Sequence, residues 1–154
     1  MIAVPFFLML FAIIELAVVF TLDSVLENAT IATGRLVRTG QAASQGFDET
    51  RFKQELCSRM SVFSVDCESR ATVDVRVVDS FDAPPPPNDP DALEDAYDGG
   101  QPGDLVLVTV WYSQTVLTPF LDQAVSQSGY KAVLTATTAF RNEPWGGTPT
   151  PIGS

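Results

Sequence analysis

The sequence contains no histidine. That removes the commonest general base and the commonest transition-metal ligand. Basic residues are scarce too: nine lysines and arginines stand against nineteen acids, for a net charge of −10. Nucleic-acid binding needs a basic face to neutralise phosphates, and a grip on anionic lipid headgroups needs a polybasic patch; the chain supplies neither. Its two cysteines, Cys57 and Cys67, are too few and too far apart for a zinc site or a C-x-x-C redox motif. With no phosphate loop, no nucleophile–base pair and no metal cluster in view, the expectation is a protein that is not an enzyme, with no cofactor and no small-molecule substrate.

What the sequence does have is a long apolar run. From Ile2 to Leu22 every residue is apolar except Thr21 and the single ionisable Glu15. As a helix rising about 1.5 Å per residue, this run is about 30 Å long, enough to cross the hydrocarbon core of a bilayer. A removable signal peptide fits less well, because it wants a basic start, an apolar core of roughly 7–15 residues and a small-residue cleavage site. Residues 1–22 are therefore read as a retained membrane anchor, with a cleaved signal as the alternative. An ionised carboxylate near mid-bilayer costs at least ~2.5–3.5 kcal/mol on insertion scales. Glu15 is accordingly expected to meet an amine, an arginine or a polar group on a neighbouring helix. The plainer alternative is a protonated side chain that the bilayer tolerates.

The remaining chain is long enough for one small domain, residues 23–145, followed by a frayed tail over 146–154. Leu22, Val25, Ala29, Ala32, Leu36, Gly40 and Ala43 recur near one helical face, which predicts a continuous helix from about Val4 to Ser44. Gly46 closes it. Asp48 then caps a short helix reaching about Met60, with Phe47 and Phe52 placed as a hydrophobic staple. Outside a reducing compartment a Cys57–Cys67 disulfide is the natural reading, and closing so short a loop would contribute about 2.5–3 kcal/mol. Two buried free thiols are the alternative.

Alternating valines predict a strand over Ala71–Val78. Phe81 to Asp104 reads as a solvated acidic loop, with four consecutive prolines, Pro84–Pro87, and one helical turn around Pro90–Tyr97. Its Asp89, Asp91, Glu94, Asp95 and Asp98 are hard oxygen donors, so calcium at Asp89, Asp91 and Asp95 is conceivable on chemistry. The spacing matches no EF-hand, and a solvated loop is the plainer reading. Leu105–Tyr112, apolar on both faces, predicts the central strand. Thr118-Pro119 opens a short helix through about Ser126, and Lys131–Phe140 is a third strand. Phe47, Phe52, Phe63, Trp111, Tyr112, Phe120 and Phe140 are expected in the core. Arg141, Asn142 and Glu143 form either a recognition turn or a turn organised only by local backbone hydrogen bonds. The fold class is α+β: a long N-terminal helix on a small antiparallel sheet of about three strands.

That plan is the plan of a type IV pilin or pseudopilin, and four segments go further. PFFLMLFAIIEL (Pro5 to Leu16), RLVRTGQA (Arg35 to Ala42), YSQTVLTP (Tyr112 to Pro119) and TAFRNEPW (Thr138 to Trp145) resemble, in order, stretches of the TadE-like family. That family comprises the pseudopilins of tight-adherence (Tad/Flp) pilus systems. The resemblance implies a minor pilin or pilus-assembly component in the inner membrane, with a cytoplasmic N-terminus and a periplasmic domain. Its partners would be other pilus subunits, inner-membrane assembly proteins and the lipid bilayer, met through the N-terminal helix. Arg35 and Arg38 taken alone favour a cytoplasmic C-terminus, but the cysteine pair favours export, so an N-in, C-out orientation is expected and the resemblance adds to the case. Pseudopilins of the family are cut after a glycine that a glutamate soon follows. No such glycine precedes the apolar run here, which points either to a start upstream of Met1 or to an unprocessed assembly factor. A membrane-anchored periplasmic binding module that never enters a filament, and a secreted domain freed of its first segment, are the alternatives.

Overall fold

The computed structural model of the chain describes residues 3–80, 94–115 and 131–145. Helix α1 spans Ala3–Arg38. It is followed by the single turn α2 (Gln41–Ser44), α3 (Glu49–Ser58), a 3-10 turn (Ser61–Phe63) and α4 (Ser64–Arg70). The strands are β1 (Ala71–Val77), β2 (Ala96–Tyr97), β3 (Leu105–Thr115) and β4 (Lys131–Arg141). They form one sheet in the order β2-β1-β3-β4. β3 pairs antiparallel with both β1 and β4, whereas β1 and β2 run parallel.

The class is α+β, as expected, but among the described residues the sheet has four strands and is mixed. Two of the predicted elements are corrected. The acidic loop is not irregular throughout, because Ala96 and Tyr97 join the sheet as β2 beside Asp74 and Val75. Asp95 makes this possible: its Oδ1 accepts a hydrogen bond from Val73 N at 2.8 Å, and its Oδ2 pairs with Lys53 Nζ at 2.9 Å. The Ala96–Tyr97 end of the expected helical turn is thus a strand, and Pro90–Leu93 lies outside the described residues. The first helix is also not continuous to Ser44. It stops at Arg38, and Gly40, in the left-handed region at φ +73°, turns the chain into α2. The predicted helix over Thr118–Ser126 and Phe120 fall outside the described residues. The 3-10 turn and α4 were not foreseen.

Among the described residues the domain has two layers, with helices on one face of the sheet. That face presents Val73 and Val75 from β1, Val106, Val108, Val110 and Tyr112 from β3, and Leu134, Ala136 and Phe140 from β4. The second half of α1 lies over β3 and β4, and α3 lies against β1. The buried stripe of α1 is Leu22, Leu26, Ala29, Thr30, Thr33, Gly34 and Val37. It is rotated from the predicted one because two threonines face inward. Each gives its hydroxyl to the carbonyl four residues back, Leu26 O and Ala29 O, at 2.8 Å, and so is buried without an unmet polar group. Gly34 lets the helix approach β4 closely: a Cβ there would lie 3.0 Å from Phe140 Cε1.

Phe52, Leu56 and Met60 extend the core under α3. Asp48 caps α3, accepting from Arg51 N at 2.8 Å. The Cys57–Cys67 disulfide, between residues ten apart in sequence, ties α3 to α4. Of the predicted core aromatics, Phe52, Trp111 and Tyr112 are buried, and Phe47, Phe63 and Phe140 pack at the edge of the core.

Candidate functional site

The first half of α1 is long and apolar enough to cross a membrane, and it is unlike the rest of the molecule. Val4, Phe6, Met9, Phe11, Ile13, Ile14 and Phe20 are all exposed, the last by 69%. In water such a surface would be unsustainable; in a bilayer, or packed among similar helices, every backbone group is satisfied within the helix and the apolar side chains are at home. Glu15 sits in this half, half-buried on the same stripe as Ala12, Leu16 and Val19.

The other residues singled out in the sequence lie elsewhere in the fold. Asn142 is buried and holds a loop in place. Its Nδ2 donates to Gly99 O at 2.8 Å and to Gln101 O at 3.1 Å, and its backbone N donates to Asp104 O at 2.8 Å. Glu143 closes the far end of α1: its N donates to Arg38 O at 2.9 Å, and its carboxylate lies 3.2 Å from Arg38 Nε. Arg141 is exposed at the end of β4. Asp89 and Asp91 lie outside the described residues, and Asp95 is engaged with Lys53 and Val73. Among the described residues no group of three or more acids and thiols is placed to hold a metal.

Two further features were not visible in the sequence. One is on the sheet face away from the helices, where Asp74 and Thr109 face each other across β1 and β3, both buried. Asp74 Oδ2 pairs with Arg76, while Asp74 Oδ1 and Thr109 Oγ1 have no hydrogen-bond partner among the described residues. The other is a cleft of about 270 Å³ at the end of α1, lined by Val37, Phe47, Tyr97, Asp98, Gly99 and Trp145 among others. Tyr97 packs on Phe52, ring centroids 5.7 Å apart. Burial pushes the Tyr97 phenol up to about 12, with the carboxylates of Asp98 and Asp48 adding to the effect. Trp145 rests on Gly40, where any Cβ would collide with the indole. The signal for this cleft was dispersed: Gly40, Gly46 and Gly100, all at positive φ, and three aromatics from distant segments.

Comparison with known proteins gives no match: no family model, no curated protein and no solved structure is significantly similar to this chain.

Proposed function

We propose that the chain is a membrane-anchored structural subunit of a Tad-type pilus, a pseudopilin of the TadE-like kind. The observation that carries this reading is the division of α1. One half exposes apolar side chains on all sides, while the other half of the same rigid rod is fastened to a compact acidic head. A subunit that first waits in a bilayer and then packs with other helices in a filament needs this construction. The four sequence segments that resemble the family support it, as does the helix-on-sheet plan of the head. In this reading the N-terminus is cytoplasmic and the head periplasmic, where the Cys57–Cys67 disulfide is at home. Glu15 then meets a polar or basic group on a neighbouring subunit's helix, an arrangement typical of ionisable residues inside membranes.

The test is location and assembly. Sheared filaments should contain the protein. Glu15→Gln and Glu15→Leu should reduce both piliation and co-purification with other pilus components. Protein that stays in the inner membrane while filaments form normally without it overturns the proposal. That outcome favours the second reading, a membrane-anchored binding module, for which the aromatic cleft is the supporting observation.

A further inference from the structure

We propose that the cleft between Phe47, Tyr97 and Trp145 receives an arginine side chain presented by a partner protein, stacked on the aromatic rings and paired with Asp98. The inference is independent of whether the chain enters a filament.

Among the described residues, the lining carries three aromatic rings, one carboxylate and no cationic group. Aromatic faces and a carboxylate are the two surfaces a guanidinium recognises, since it is planar, always charged and weakly hydrated. At about 270 Å³ the cleft has room for one large side chain and falls just short of the ~300–1,000 Å³ of typical small-molecule pockets. Among the described residues, the one side-chain hydrogen bond of Asp98 is that which Oδ1 accepts from Gly100 N at 3.0 Å. Burial is the chief cause of the raised pKa of the Tyr97 phenol, and the carboxylates of Asp98 and Asp48 add to it. The chain already uses this mode of contact once: the Arg51 guanidinium lies 5.4 Å from the centre of the Phe47 ring, and Arg51 is not among the residues lining the cleft.

The walls are fixed before anything binds, which lowers the ordering cost of association. Gly40 seats Trp145, β2 and Phe52 seat Tyr97, and Asn142 holds the loop carrying Asp98 through Gly99 O and Gln101 O. The position selects the source of the cation. Val37 lies fifteen residues beyond Leu22, about 22 Å along the helix axis from the end of the apolar run. Headgroups at that end of the anchor are out of reach, so the occupant comes from a protein.

The full chain in detergent micelles, labelled with ¹⁵N, can be titrated with a blocked peptide of one arginine between glycines. Lysine and glutamine versions and tetramethylammonium chloride serve as comparisons. The readouts are the amides of Gly99 and Gly100 and the indole N–H of Trp145. The arginine peptide should give saturable shifts confined to these groups. Lysine and tetramethylammonium should bind more weakly, and glutamine should not saturate. Asp98→Asn, an exposed and isosteric change, should weaken the arginine peptide about fivefold. Trp145→Leu should abolish the response, with the remaining spectrum reporting that the fold is intact. No saturation, an equal response to glutamine, tighter binding of lysine or tetramethylammonium, or indifference to Asp98→Asn would each overturn the proposal.

Discussion

Phe20 and Leu22 stand two residues apart in one unbroken helix, yet the first is 69% exposed and the second fully buried. Before Leu22, large apolar side chains point in every direction. After it, most apolar and small residues form one stripe under β3 and β4, and Asp23, Glu27, Arg35 and Arg38 occupy the outside with Ile31. The two halves share backbone geometry and differ in what their side chains meet. A domain boundary therefore falls inside a secondary-structure element, at a position marked only by where the charges begin. Lipid or other helices must supply for the first half what the sheet supplies for the second.

The largest effect that can break this comparison comes from making one substitution in both halves. Leu26→Ala removes a fully buried side chain and should cost about 2–5 kcal/mol of head stability. Leu10→Ala should change it by less than about 0.5 kcal/mol. Urea unfolding in micelles measures both; equal losses would mean the head extends into the apolar run. Arginine inverts the ranking for membrane insertion, since Leu10→Arg carries a penalty of ~2.5–3.5 kcal/mol that Leu26→Arg escapes.

Next in size is the disulfide. Replacing both Cys57 and Cys67 by serine should destabilise the head by about 2.5–3 kcal/mol. The helicity of the apolar half of α1 should be unchanged, which sharpens the division because the bridge touches only the head. Smaller again is Gly34→Val. A side chain there would press on Phe140 and Thr138, so about 1–3 kcal/mol should be lost, again from the head alone.

The smallest effect concerns pH. With its folded pKa pushed up to about 12, Tyr97 favours the folded state while protonated. That contribution is complete below pH 10 and fades as pH rises from 10 through 12. Tyr97→Phe should flatten the alkaline decline in urea midpoint; an unchanged decline would place the cause elsewhere.

Much of this architecture was legible beforehand, and the reasons are specific. The apolar run, the alternating valines of β1 and the doubly apolar β3 carry their own periodicity. Asp48 announces a helix start by its chemistry. Apart from Thr30 and Thr33, whose partners are local, the misses share a different cause, because each depends on a partner far along the chain. Thr30 and Thr33 look polar until their hydroxyls are returned to the helix backbone. Ala96 and Tyr97 are a strand only because Asp95 reaches Lys53 and Val73. Gly40 breaks the first helix where small residues suggested continuation, and the indole of Trp145 occupies the space a side chain there would need. The aromatic cleft draws on Phe47, Tyr97 and Trp145, which no local pattern joins. Asn142 was open between partner recognition and local turn chemistry; its bonds reach Gly99 and Gln101, more than forty positions away.

The second half of α1 is covered in part by β4, a strand far along the chain. Gly34 meets Thr138 and Phe140, and Arg38 is latched by Glu143. Because synthesis runs from the N-terminus, the inner seam of the rod is not fully covered until β4 has been made and delivered. Only the arrival of β4 and of the turn that carries Glu143 completes the seal. A product cut short before β4 would hold a rod whose seam never closes, an open target for proteases that guard against unfinished chains.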